Sequence, residues 1–149
     1  MSIALSDEIR EHINGALLAG NPAIIASVDE AGRPKMSFRG SLQVYSADQL
    51  GFWARNAEGT TAGGIGANRN VAVLYRAPAT RVMLQFAGWA RVTSDPAERA
   101  KVFESAPQFE QRADPERKGA AVIIDLDRVE GILGLDAEGN RRPVRMTRD

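Results

Sequence analysis

The chain has 149 residues, 44% hydrophobic and 26% charged, the balance of one ordinary globular domain and not of a disordered or membrane-spanning chain. Nineteen basic and nineteen acidic side chains cancel, so no overall field draws in nucleic acid or an anionic membrane. Cysteine is absent and His12 is the single histidine, which excludes disulfides, thiolate nucleophiles and cysteine metal sites, and leaves a Ser-His-Asp hydrolase or a histidine-rich metal site one imidazole to be built around.

The opening MSIALSDEIREH turns acidic without a charged n-region or an apolar h-region, so it is not expected to be a signal peptide. No apolar run approaches the ~20 residues that cross a bilayer, and a cytoplasmic location is expected, in keeping with the lack of cysteine. Ser6 before Asp7 and Glu8 predicts a helix start, because a hydroxyl caps free N–H groups and acids suit the positive dipole end. The helix is expected over residues 7–18, within an N-terminal helical segment 1–20. Ile9, Ile13 and Leu17 form its apolar stripe and His12 lies on its flank, as a plain surface or boundary residue. Gly20, Asn21 and Pro22 stop the helix, residues 23–28 (AIIASV) read as a short buried strand, and DEAGRP is a turn cluster.

Residues 35–45 alternate cleanly. Met36, Phe38, Gly40, Leu42 and Val44 point one way and are expected to face a core, while Lys35, Ser37, Arg39, Ser41, Gln43 and Tyr45 point the other. After the turn SADQ, LGFWA repeats the split, with Trp53 and Arg55 on the polar face, and the two strands form an antiparallel hairpin. The glycine-rich GTTAGGIG reads as a short helix starting near Thr60 and broken at residues 68–70. Two strands follow, 71–76 and 82–93, the second with Gly88 where a strongly curved strand bends. Asp95-Pro96-Ala97-Glu98 carries a capping Asp, Pro at the first helical position and a Glu placed to close a capping box, so a helix is expected from there to about Ser105. Residues 120–126 (AAVIIDL) give a last strand. The arginine-rich end, residues 136–149, is expected to be a flexible solvated tail, with an anion-binding arm as the alternative.

Six strands joined mostly by gaps too short for parallel crossovers point to a mainly β fold, an antiparallel barrel with flanking helices, in a single domain over residues 1–149. The face carrying Arg39, Ser41, Gln43, Trp53 and Arg55 is either a solvated outer surface or a ligand face. An exposed Trp with Thr60 and Thr61 at a helix start favours the ligand. Helix N–H groups, threonine hydroxyls and arginines receive a phosphate, and an indole receives a planar group, a pairing that describes a nucleotide-like cofactor. The glycine run matches neither the P-loop, which needs a following lysine, nor the dinucleotide fingerprint after a parallel strand.

The succession NPAIIASVDEAGRPKMSFRGSLQVYS, LGFWARNAEGTTA, ANRNVAVLYR and VMLQFAGWARVTSDPAERAKVF resembles the pyridoxamine 5'-phosphate oxidase-like flavin-binding split-barrel family, over roughly residues 21–133. The resemblance implies a six-stranded antiparallel split barrel, a homodimer, and FMN bound between subunits. It implies that Arg39, Gly40, Ser41, Leu42 and Gln43 contact the flavin ring and phosphate, and that Ala54, Arg55, Thr60 and Thr61 hold the phosphate. It also implies that Gln85, with Trp89 and Arg91 on its face, approaches the flavin from the partner subunit. Thr60 and Thr61 stand where the vitamin-oxidising members carry lysine or arginine, Gln43 and Val44 stand near where they carry a lysine, and RRPVRMTRD does not match their substrate-gripping end. The expected function is therefore that of an FMN-dependent oxidoreductase acting on a small molecule other than pyridoxamine phosphate. The alternatives are a non-catalytic barrel and a binding module for deazaflavin or haem; no metal, nucleic acid or membrane partner is expected.

Overall fold

The computed structural model describes residues 2–148, and of Thr60 the backbone alone. In chain order the elements are α1 (Asp7–Asn14), β1 (Ala23–Val28), β2 (Pro34–Arg39), β3 (Gln43–Ser46), β4 (Gln49–Ala54), α2 (Thr60–Ala67), β5 (Asn70–Ala77), β6 (Val82–Thr93), α3 (Pro96–Ser105), α4 (Gln108–Ala113), β7 (Ala120–Leu135) and β8 (Arg141–Thr147). The strands pair in the order β2-β1-β5-β6-β7-β4-β3, with β8 added to β7, and every pairing is antiparallel. The expected mainly β, antiparallel split barrel stands, with eight strands where six were expected. Its end strands β2 and β3 do not pair with each other among the described residues.

Two departures account for the extra strands. The single strand expected over residues 35–45 is cut at residues 40–42, where the Leu42 N–H donates to the Arg39 carbonyl at 3.3 Å, and its halves lie at opposite edges of the sheet. The apolar stripe changes side at this turn: Met36 and Phe38 are 74% and 67% exposed, whereas Leu42 is 3% exposed in the core. Perfect alternation through a turn kept the sequence period while reversing the face it described. The second departure is the segment expected as a flexible tail, residues 136–149, which carries β8. Val144 and Met146 pack against the core, Arg142 forks onto Glu8 at 3.0 and 2.8 Å, and Arg148 donates to the Leu126 carbonyl and to Asp48.

The helix starts follow their capping residues. Ser6 accepts from the Ile9 N–H and Asp95 from the Glu98 N–H. α1 buries Ile9 and Ile13 but ends at Asn14, four residues short of the expected Leu18, which is exposed. His12 is half-buried, with Nδ1 3.2 Å from the Tyr75 hydroxyl. Gly88 stands at the register shift between β6 and β7, where a Cβ would overlap the Asp125 carbonyl; a side chain there would force the two strands apart. Among the described residues, no helix is long and apolar enough to cross a membrane.

β7 explains the run AAVIIDL. Val122, Ile124 and Leu126 face the barrel core with Leu50, Phe52, Leu84 and Phe86, while Ala121 and Ile123 face a second core with Trp53, Val102 and Phe103 beneath α3. A strand covered on both sides is apolar throughout instead of alternating. This second layer is pinned by Glu98, which does not close a capping box. Arg91 donates to its carboxylate at 3.0 and 2.7 Å and the Thr93 hydroxyl at 2.6 Å. These hydrogen bonds, Arg91's first, hold the Glu98 carboxyl at about 2, against an ordinary value of 4.5. A folded-state value below the unfolded one means stabilisation that is complete above the ordinary value and lost as pH falls toward the folded value. Glu98→Gln is expected to lie below the native chain in urea midpoint near neutral pH and to converge with it as pH falls from 4.5 to about 2.

Candidate functional site

β2 turns Lys35, Ser37 and Arg39 toward the inner side, in register with Ser27, Ile25 and Ala23 of β1. Arg39 is the last residue of the strand, so its guanidinium reaches past the sheet edge to α2 and β4. Nη2 donates to the Thr61 hydroxyl at 2.9 Å, and the guanidinium carbon lies 5.2 Å from the centre of the Phe52 ring. Nε is buried and has no hydrogen-bond partner. Burial pushes the Arg39 guanidinium below its ordinary value; the Glu110 carboxylate opposes this and the nearby Arg55 adds to it.

Three further groups close around this arginine. α2 starts from Gly59 in extended conformation with no side-chain cap, leaving its first N–H groups available to an anion. Arg55, just past β4, approaches with Nε 3.7 Å from Glu110 Oε2. Glu110 of α4 is 9% exposed, and its Oε1 lies 2.6 Å from where a Cβ on Gly40 would stand. The space that a side chain on residue 40 would take is occupied by this carboxylate, so a larger residue there would push the Glu110 side chain aside. Two guanidinium groups, one carboxylate and a helix start make a seat with a net affinity for negative charge.

The structure thus draws Arg39, Gly40, Arg55 and Thr61 together at the start of α2; the side chain of Thr60 lies outside the described residues. The remaining expected site residues are placed differently. Leu42 and Ala54 are buried in the core. Ser41 ties the turn to β4, its hydroxyl donating to the Trp53 carbonyl at 3.0 Å and accepting from the Trp53 N–H at 2.9 Å. The Gln43 amide donates to the Asn14 carbonyl at 3.4 Å. Gln85 is exposed on the outer face of the sheet, opposite Leu74 and Glu130, and Arg91 of the same strand is engaged by Glu98.

Trp53, expected to be exposed, is 3% exposed. Its ring meets Phe103 edge-on at 5.0 Å, the Arg99 guanidinium lies over it at 4.8 Å, and its indole N–H donates to Asp114 at 2.8 Å. Period two put Trp53 correctly on the face away from the barrel core, but α3 and α4 cover that face. Asp114 also accepts from the Lys118 and Gly119 N–H groups at 3.0 and 2.8 Å. Burial raises its carboxyl, and the hydrogen bonds from Trp53, Gly119 and Lys118 outweigh that and keep it below the usual range. Glu110 and Asp114 lie in a polar stretch without periodicity, and sequence reading passed over both. The one available signal was an acid inside the short apolar-polar run PQFEQRAD, too common a pattern to single out.

A family model described as pyridoxamine 5'-phosphate oxidase matches residues 5–131. Among curated proteins none matches the sequence. Among solved structures, HupZ from Group A Streptococcus is 20% identical and superposes with a TM-score of 0.66, over 89% of this chain and 98% of that one. A pyridoxamine 5'-phosphate oxidase-related, FMN-binding protein from Nostoc punctiforme is 14% identical, with a TM-score of 0.64 over 93% and 94% of the two chains. PhzG from Burkholderia lata, solved in complex with tetrahydrophenazine-1-carboxylic acid, is 12% identical, with a TM-score of 0.65 over 90% and 81%. At these identities the likeness is one of fold.

Asp114 satisfies three donors at once, so its removal strands them in a buried place. Asp114→Ala is expected to cost about 3 kcal/mol, read from urea unfolding, and to shift the fluorescence of Trp53.

Proposed function

The chain belongs to the pyridoxamine 5'-phosphate oxidase family, and from that premise we propose that it is a homodimeric, cytoplasmic FMN-dependent oxidoreductase with a small-molecule substrate. The observation that carries the reading is the half-buried Arg39 guanidinium, whose Nε is buried and unpartnered. A buried charged donor without an acceptor is costly, and a phosphate oxygen supplies the acceptor. The residues present fit the group: Arg39, Arg55 and the start of α2, with Thr60 and Thr61, would hold the phosphate. Bound FMN would supply hydride or electron transfer, with the protein providing orientation and exclusion of water. No side chain need act as acid or base, in agreement with a chain that has no cysteine and whose one imidazole is engaged with Tyr75.

The homodimer is supported by the outer face of the sheet. Across β2, β1 and β5, Phe38, Ile24 and Leu74 stand in register, beside Met36, Ala26 and Ala72. Ile24, Ala26, Met36, Ala72 and Leu74 border a hollow of about 250 Å³ that Gln85 also lines, and Phe38 stands exposed beside them. Exposed Met36, Phe38 and Leu74 around half-buried Ile24, Ala26 and Ala72 make an apolar patch of the kind that marks an interaction surface, and a second copy is the occupant proposed for it.

Two outcomes test the reading. Titrating FMN into the protein should quench flavin fluorescence, and Arg39→Ala should weaken that binding by at least about tenfold while leaving the fold intact; failure of the native protein to bind FMN would count against the proposal. Phe38→Asp should convert a dimer to a monomer in sedimentation velocity, because a charge on each copy would be buried without a partner. A native chain that sediments as a monomer would refute the dimer.

A further inference from the structure

α4 buries the wrong residue for a packing helix. Of its six residues, QFEQRA, the apolar Phe109 is 70% exposed and the buried one is Glu110. Burying a carboxylate is unfavourable unless cations or donors receive it, so the position of α4 is set by what its carboxylate meets. It lies over Gly40 on one side and near Arg55 on the other, and its charge acts on Arg39. These are the elements of the seat described above.

The fit is incomplete. The Arg55 contact, at 3.7 Å, is longer than a hydrogen bond, the Arg55 side chain stays largely in solvent, and Arg39 Nε is left unused. A carboxylate offers two oxygens in one plane, whereas a phosphate offers three directed outward, which suits two guanidinium groups and a helix start better. Gln111, the residue after Glu110, donates to the Glu104 and Ala106 carbonyls, and Asp114 is fixed to Trp53, so α4 is anchored on the C-terminal side of Glu110 and the group to be displaced is the Glu110 side chain ahead of both anchors.

We propose that Glu110 is a resident anion in the phosphate seat, and that a phosphorylated ligand enters by displacing it, which makes Glu110 the residue that sets affinity for the phosphate group. The inference rests on the flavin-phosphate reading of the same seat. An incoming phosphate meets a like charge as well as two opposite ones, and like charges brought together weaken binding. Affinity is thereby held down, and a ligand lacking the phosphate gains nothing from contesting the seat.

The test compares native protein and Glu110→Gln with FMN and with riboflavin, which lacks the phosphate. The substitution is expected to tighten FMN by about tenfold or more and to leave riboflavin unchanged. Equal or weaker FMN binding by a folded Glu110→Gln protein overturns the inference while the flavin reading survives; absence of FMN binding in both proteins overturns the two together. Should Glu110→Gln fail to fold, hydrogen exchange on the native protein decides: FMN is expected to slow exchange at the start of α2 and to speed it in α4. Unchanged or slower exchange in α4 overturns the inference.

Discussion

A half-buried guanidinium at the end of β2, with its Nε buried, is the charge that the groups of the seat face. Arg39 lies over the Phe52 ring, donates to Thr61 and keeps one nitrogen unpaired. A cation in that position is tolerated only while opposite charge stays close. That requirement reaches into three separate parts of the chain. α2 begins where Thr61 accepts from Arg39, residue 40 leaves room for the Glu110 carboxylate, and α4 turns that carboxylate inward in place of its phenylalanine. None of these features improves packing by itself. Each is intelligible as a response to the charge, and they converge on one point at the start of α2.

The second layer, α3 and α4 over β4 and β7, serves that seat indirectly. Trp53 and Phe103 make an apolar contact of a size that dominates a small core, and the indole N–H locks Asp114, which in turn closes the loop into β7. Arg91 and Glu98 clamp the start of α3 to β6. The segment carrying Glu110 is therefore held at both ends by interactions unrelated to phosphate. Between those ends Glu110 is the buried residue of α4 and lies 3.7 Å from Arg55.

Much of the fold was legible because it rests on local chemistry. Ser6 and Asp95 cap the helices they were expected to cap, Gly88 marks the irregularity in the longest antiparallel pair, and the short connections exclude a parallel sheet. What escaped was tertiary. Residues 35–45 keep period two through a turn, so no pattern within them could disclose that Met36 and Leu42 end on opposite faces. RRPVRMT becomes a strand because Val144 and Met146 find an apolar surface and Arg142 and Arg148 find carboxylates, partners supplied by segments far away in sequence. In the site, a strand end, a helix start and arginines were enough to bring Arg39, Arg55 and Thr61 forward. Trp53 was placed on the right face and given the wrong neighbour, and Glu110 left no trace, since a carboxylate in a polar stretch reads as solvated until its surroundings are known.

The reversal at residues 40–42 has a consequence for how binding and assembly relate. Phe38 and Arg39 are consecutive: one side chain points out onto the apolar face, the other inward to the seat. β2 is an edge strand, tied to the sheet by β1 alone, and edge strands held on one side are the less constrained members of a sheet. A second copy resting on Phe38 and Met36 would fix β2 from outside and, one residue along, fix the backbone from which the Arg39 guanidinium projects. In the proposed dimer, the surface that joins the copies and the cation that receives the phosphate are two faces of one strand, so ordering one orders the other. The same geometry accounts for a large apolar side chain beside an arginine at a sheet edge, an arrangement that neither a solvated strand nor a buried one would require.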